Sequence, residues 1–154
     1  MKLGVLKEPE GETRVAIVPT SLKKLQKAGF EVVIEAGAGT AANYHDAEYE
    51  AAGATVGTRD DALSCETIIT IRFPGVEGMK EGTNLACVSD PFRNPQYVKD
   101  CLASNITLLS MDMIPRRLSR AQSMDVNSSQ DNLAGYKAVL LGAAHVPKGI
   151  PMTV

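Results

Sequence analysis

Thr67-Ile68-Ile69-Thr70-Ile71 is the stretch that decides the fold class, because all five side chains are β-branched and none is charged. An uninterrupted run of this kind is typical of a strand that is buried on both faces, and such strands occur in parallel sheets covered by helices. Short apolar runs that predict further strands recur along the chain at positions 2–6, 30–35, 55–56, 85–88 and 106–109.

Helical segments separate these predicted strands. The clearest follows Pro19-Thr20-Ser21, has apolar positions at three-residue spacing and ends at Gly29. Asp46 is a candidate N-cap for a second helix, and a third short helix precedes the decisive strand. Asn94-Pro95 opens a fourth helix. Its apolar stripe is predicted to consist of Tyr97, Val98, Cys101 and Leu102.

The alternation of strands and helices predicts an α/β fold. We expect a mostly parallel sheet with helices on both faces, forming a Rossmann-like or flavodoxin-like three-layer lobe. From about residue 128 to 145 the pattern changes to a longer helix. The α/β lobe is therefore assigned to residues 1–126, and residues 127–154 to the long helix and the start of a connection.

Composition narrows the classes of partner. The chain has 154 residues, of which 44% are hydrophobic and 22% charged, with a formal net charge of −2. Because acidic and basic residues are mixed along the chain, no nucleic-acid partner is expected. No run approaches the roughly 18 apolar residues of a membrane helix, so the chain itself is expected to be soluble. The three cysteines at 65, 87 and 101 lack metal-ligand spacing, which favours buried thiols and no metal site.

The polar segment from Pro115 to Asp125 is the strongest candidate for a ligand site. It follows a predicted strand, and ligands of open parallel sheets bind beyond the carboxyl ends of the strands. Its three arginines, Gln122 and Asp125 supply bidentate donors, an amide and a carboxylate within one loop. The alternative is a solvated loop in which Asp125 or Ser128 only caps the next helix, and spacing alone does not decide between the two.

Other polar positions are weaker candidates. Arg14 lies just past the first predicted strand and is suited to binding a carboxylate or pairing with Asp125, although a surface or structural role is the commoner alternative. The Gly37-Ala38-Gly39 loop is interpreted as a turn, because the chain contains no G-x-G-x-x-G dinucleotide motif. His45 and His145 flank predicted helices without a nucleophile or metal partner, so structural roles are expected.

Several segments resemble a known family. Lys7-Glu8, Gly11-Glu12-Thr13-Arg14-Val15-Ala16 and Ala52-Gly53-Ala54 look like the opening of the alanine dehydrogenase/pyridine nucleotide transhydrogenase N-terminal domain family. Ser119-Arg120-Ala121-Gln122-Ser123-Met124-Asp125 and Asn132-Leu133-Ala134-Gly135-Tyr136 are similar, almost residue for residue, to the transhydrogenase alpha subunits of that family. The resemblance covers nearly the whole chain.

The resemblance implies a role in placing a cofactor. Arg117, Gln122, Asp125 and Ser128 match the family loop that holds the nicotinamide and ribose of NAD(H). In such enzymes hydride passes from NADH to NADP(H) on another domain while a membrane domain couples the transfer to proton movement, and the hydride step requires no general acid or base. The implied partners are a second lobe, the membrane domain, an NADP-binding beta subunit or domain, and a second copy in a homodimer. The implied location is the cytoplasmic face of a bacterial inner membrane or the matrix face of the mitochondrial one.

Two departures from the family pattern separate its branches. Arg72 stands about where alanine dehydrogenase has its catalytic lysine, and Ser89-Asp90-Pro91 about where it has its catalytic histidine. Amination of pyruvate would lose its acid–base groups, so an alanine-dehydrogenase-like oxidoreductase is the weaker alternative. Arg14 and Arg72 are kept as possible substrate-binding or loop-supporting residues.

The position of the last residue leads to a further expectation. The family places its Gly-rich dinucleotide fold after the segment resembling Gly149-Ile150-Pro151-Met152, and this sequence stops at Val154. We therefore expect the 154 residues alone to lack a pyrophosphate site and to transfer no hydride. A non-catalytic remnant that binds a partner subunit is the third alternative.

Overall fold

A six-stranded parallel sheet is the centre of the computed structural model, which describes residues 1–147 and 149. The strands of the described residues are β1 (Lys2–Val5), β2 (Glu31–Glu35), β3 (Thr55–Gly57), β4 (Thr67–Arg72), β5 (Asn84–Val88) and β6 (Thr107–Ser110). The helices are α1 (Leu22–Lys27), α2 (Asp46–Ala51), α3 (Arg59–Leu63), α4 (Pro95–Ala103) and α5 (Val126–His145). The α/β prediction, the parallel sheet and the longer final helix are confirmed.

The strand order is β3-β2-β1-β4-β5-β6. Central β1 pairs in parallel with β2 on one side and with β4 on the other, so the direction of winding reverses between β1 and β4. This is the dinucleotide-binding type of doubly wound sheet, and not the flavodoxin-like order that the sequence left open. Loops after β1 and β4 diverge at this switch point, where such sheets form their ligand crevice.

Helices cover both faces of the sheet, because neighbouring side chains of a strand point in opposite directions. Leu3 and Val5 of β1 pack in one buried cluster with Leu22 of α1 and Tyr49 of α2. The other face is covered by α3 and α4, whose buried residues cluster with β4 and β5 residues. These buried residues are Ala62, Leu63, Ile68, Leu85, Cys87 and Cys101.

Two local predictions need correction. The predicted stripe on α4 is only half right: Cys101 is buried and Tyr97 stacks on Phe73, but the Leu102 side chain is 79% exposed. The N-cap of α2 is His45, whose backbone N–H donates to Glu48, whereas Asp46 is the first helical residue. The Asp46 carboxylate instead accepts the Gly37 N–H at 2.9 Å, because it faces the preceding turn.

All three cysteines are buried free thiols, as expected. Burial raises the pKa of each thiol, and that of Cys87 to about 12. A thiol with such a pKa carries almost no thiolate at neutral pH and is a poor nucleophile. The cysteines therefore contribute to packing and not to chemistry.

A second compact unit begins at Ile114, and the first spans Met1–Met113. The second unit contains the polar loop, a short 3-10 helix at Gln122–Met124 and the 20-residue helix α5. None of the helices in the described residues is both long and apolar enough to cross a membrane.

Candidate functional site

Asp125 closes the polar loop by capping α5. Its carboxylate accepts the Ser128 backbone N–H at 3.0 Å and the Ser128 hydroxyl at 2.6 Å. The hydrogen bonds from Ser128 hold the pKa of Asp125 below its ordinary value. The capping alternative is thus confirmed for Asp125, and two of the four predicted cofactor residues are bonded to each other.

Arg116 supports this cap and was not singled out by the sequence analysis. Its Nε lies 3.7 Å from an oxygen of Asp125, and its Nη2 donates to Asp131 at 3.3 Å. Asp131 lies on α5, so the ion pairs fasten the start of the loop to the helix that follows it. The available signal was an arginine pair followed by acidic residues, but the sequence did not show which arginine would turn inward.

Arg117 and Gln122 present their side chains differently. Both are exposed, and neither side chain has a hydrogen bond or an ion pair within residues 1–147 and 149. A guanidinium and a carboxamide with unused donors can hold a carbonyl, a hydroxyl or an anionic oxygen of a ligand. Of the four predicted residues, these two are open for binding while Asp125 and Ser128 shape the loop.

A second polar cluster lies at the switch point, and we call Glu8, Glu12, Arg14 and Arg72 the switch-point cluster. Glu12 accepts a bidentate pair of hydrogen bonds from Arg14, both of 2.7 Å, and one from Arg72 Nε at 2.9 Å. These bonds, chiefly from Arg14, lower the pKa of Glu12 to about 2. One nearly buried carboxylate therefore joins the loop after β1 to the end of β4.

Glu8 completes the cluster from beneath. Its buried carboxylate accepts the backbone N–H groups of Ile71 at 2.6 Å and Arg72 at 3.0 Å. The ladder between β4 and β5 is irregular between Ile69 and Arg72, so Glu8 satisfies amides near that break. Burial raises the pKa of Glu8 despite these two bonds.

A cavity of about 450 Å³ opens beside the cluster, between the loops that follow β1 and β2. Its size is ordinary for a small-molecule site. Arg14 and Glu12 form part of its wall, together with Gly37 and Ala38. The loop containing Gly37 makes a turn, as predicted, and is followed by a 3-10 helix at Thr40–Ala42 and not by an α-helix that could hold a phosphate.

A third polar network joins the carboxyl ends of β5 and β6. The Asp112 carboxylate accepts the backbone N–H groups of Ser89 and Asp90, both at 3.1 Å, and the Ser110 hydroxyl at 2.6 Å. The Ser89 and Ser110 hydroxyls are 2.7 Å apart. Asp90 itself has a left-handed backbone with φ of 44°. Sequence reasoning missed Asp112, since nothing in an isolated Met-Asp-Met segment shows that it meets a loop 22 residues earlier.

Comparisons with known proteins agree on one family. The family described as "Alanine dehydrogenase/PNT, N-terminal domain" matches residues 4–134. The first portion of "NAD(P) transhydrogenase subunit alpha" of Rhodospirillum rubrum, a separate chain in that organism, is 42% identical over 99% of this chain and 42% of the relative. The crystal structure of a transhydrogenase from Sinorhizobium meliloti superposes with a TM-score of 0.92 at 40% identity, covering 99% of this chain and 47% of that one.

The other branch of the family is more distant. An alanine dehydrogenase of Methanococcus maripaludis is 32% identical over 96% of this chain and 40% of the relative. In each of these three comparisons the chain spans less than half the length of the protein it matches.

Proposed function

The chain belongs to the alanine dehydrogenase/PNT N-terminal domain family, and from this premise we propose that it forms the N-terminal lobe of the NAD(H)-binding domain of a proton-translocating NAD(P) transhydrogenase. The observation that carries the proposal is the loop with two open side chains, Arg117 and Gln122, next to a cap formed by Asp125 and Ser128. The greater similarity to transhydrogenases than to alanine dehydrogenases supports it.

The loop suits one task, which is to orient a nicotinamide. Bound NADH supplies the hydride, so the protein has only to hold the ring and its ribose in a fixed pose. The Gln122 carboxamide and the Arg117 guanidinium provide donors for the carboxamide and the sugar hydroxyls. The Asp125–Ser128 cap and the Arg116 ion pairs hold the backbone from which those donors project. Fixed orientation of this kind contributes much of the rate of a transfer between two bound partners.

The partners follow from the same proposal. The sequence contains no G-x-G-x-x-G motif, so we assign the pyrophosphate and adenosine of NAD(H) to a second lobe. NADP(H) would lie on another domain or subunit, and a membrane domain would couple the transfer to proton movement. We further propose a homodimer on the soluble face of the energy-transducing membrane.

Direct binding tests the loop assignment. In the full-length protein we expect Arg117→Ala and Gln122→Ala each to weaken NADH binding about tenfold, because each removes donors to a polar group of the ligand. NADH fluorescence titrations measure the effect. Arg93→Ala is the matched control, since it removes an exposed arginine whose ion pair with Asp90 is 3.6 Å long.

Proteolysis gives an independent readout. Bound NADH should protect the loop from trypsin, which cleaves after Arg116, Arg117 and Arg120 in the free protein. Unchanged affinity in both loop variants, together with no protection, would remove this loop from the cofactor site.

The 154-residue chain alone should not catalyse hydride transfer from NADH to an NADP analogue, because no pyrophosphate-binding motif is present to anchor the cofactor. Steady-state assays with the purified chain check this. Turnover above the buffer rate would show that these residues suffice, and would contradict the division into two lobes.

The second candidate, an amino-acid oxidoreductase, is favoured by one observation: two arginines beside the 450 Å³ cavity could bind a substrate carboxylate. Two observations oppose it. Glu12 already engages both Arg14 and Arg72, and the position of the catalytic histidine of alanine dehydrogenase is held by the Ser89-Asp90-Pro91 turn. Oxidation of NADH that depends on pyruvate and ammonium would reverse the order of the two candidates.

A further inference from the structure

The Asp112 network lies where the chain leaves the sheet. Asp112 follows β6 by two residues and precedes Ile114, the first residue of the second unit, by two. Its two carboxylate oxygens receive three donors from the ends of β5 and β6. Arg117 is only five residues further along the chain.

We propose that Asp112 is a positioning residue for the nicotinamide loop, an inference that rests on the proposed function of that loop. The loop is then fastened at both ends by aspartates: Asp112 at the exit from β6 and Asp125 at the N-terminus of α5. Five residues reach at most about 18 Å from a fixed point, so the anchor confines the positions that the Arg117 backbone can sample. Asp112 touches neither hydride donor nor acceptor in this proposal and acts through the loop.

The geometry of the β5 turn explains why a carboxylate is needed. Asp90 adopts a left-handed conformation, in which non-glycine residues are uncommon, and successive N–H groups of Ser89 and Asp90 point toward one place. An acceptor with two oxygens satisfies both N–H groups at once, and the second Asp112 lone pair on Oδ1 takes the Ser110 hydroxyl. The Asn94 amide closes the turn from the other side by donating to the Ser89 and Asp90 carbonyls.

Asp112→Asn is the sharpest variant, because it keeps the volume and changes only the chemistry. The new NH₂ group must face one of the three donors, which loses a hydrogen bond and places two donors together. Ser110→Ala is the matched control: it removes one hydroxyl from the carboxylate but leaves both backbone amides bound.

Kinetics of the full-length protein separate positioning from simple loss of structure. If the anchor raises the fraction of loops that can bind, Asp112→Asn should raise the KM and the Kd for NADH about tenfold and change kcat less than about threefold. Ser110→Ala should change KM less than about threefold. Equal loss of kcat in both variants, without a rise in KM, would overturn the proposal.

Hydrogen exchange distinguishes the failure of this proposal from that of the proposed function, because it needs no cofactor. In the free protein, Asp112→Asn should speed exchange at the amides of Ser89 and Asp90 and across residues 114–121. Unchanged exchange across 114–121 would overturn the role of Asp112 even if the protein binds NADH. Faster exchange in a protein whose wild type does not bind NADH would instead overturn the proposed function and leave the anchor in place.

Discussion

Replacing Gly4 with alanine should lower the free energy of unfolding by about 3 kcal/mol, at the upper end of the usual cost of an overpacked core. A Cβ at Gly4 would lie 2.1 Å from the Ala62 carbonyl oxygen and 2.9 Å from its carbonyl carbon. These are backbone atoms of α3, so no side chain can rotate to make room. Strand β1 cannot retreat either, because it is hydrogen-bonded to β2 and β4 on its two sides.

Thermal and urea denaturation followed by circular dichroism measure this effect, and a fall of the melting temperature by roughly 10 °C is expected for a domain of this size. Gly135→Ala is the control, since a Cβ there meets nothing within 4 Å and the position is inside helix α5. That change should be neutral or stabilise by up to about 1 kcal/mol. A Gly4→Ala protein within about 0.5 kcal/mol of wild type would mean that α3 does not press on β1.

Gly4 also shows how far the pattern of the sequence reaches. The apolar run around it predicts a strand, and the β-branched run from Thr67 predicts a buried one, because those preferences are local. The close approach of Ala62 depends on a helix 58 residues away, which no local pattern encodes. The strand order had the same limit: periodicity predicted a parallel sheet but left Rossmann-like and flavodoxin-like orders open.

The exposed side of α4 illustrates a second limit. The spacing of Tyr97, Val98, Cys101 and Leu102 predicts one buried stripe, yet Val98 is 43% and Leu102 is 79% exposed. Periodicity indicates which residues share a face but not how wide the covered part of that face is. Cys101 and Tyr97 lie in the covered part.

The candidate site divides in the same way. The Asp125 cap was foreseen as an alternative because an N-cap interaction is local and its residues are three positions apart. The open side chains of Arg117 and Gln122 were singled out by their residue types and by the resemblance. The Asp112 network and the junction formed by Glu12 were missed, since they connect segments 22 and 60 residues apart.

Glu12→Gln should destabilise the protein by about 2 kcal/mol at neutral pH. A pKa lowered from 4.5 to about 2 corresponds to roughly 3 kcal/mol of interaction with the charged form. Arg14 and Arg72 are 41% and 57% exposed, so solvent screening reduces that figure. The variant leaves two guanidinium groups side by side with no anion between them.

The pH dependence gives this prediction its sign. Because the folded pKa of Glu12 lies below its unfolded value, the stabilisation is fully present above about pH 4.5 and is lost as the pH falls toward 2. The difference in stability between wild type and Glu12→Gln should therefore be constant near neutrality and vanish at the acid end. Removing the Glu12 charge should also lower the pKa of Glu8, which that charge raises, and this recovers part of the loss.

Glu10→Gln is the control for charge alone, because Glu10 is an exposed carboxylate on the same loop and should change stability by less than about 0.5 kcal/mol. Urea denaturation at a series of pH values between 2 and 7 compares the three proteins. A deficit in Glu12→Gln that persisted undiminished at pH 2 would show that shape and not charge holds Arg14 and Arg72 together. A deficit that disappears there would establish that the two sides of the switch point are joined through the ionised carboxylate of Glu12.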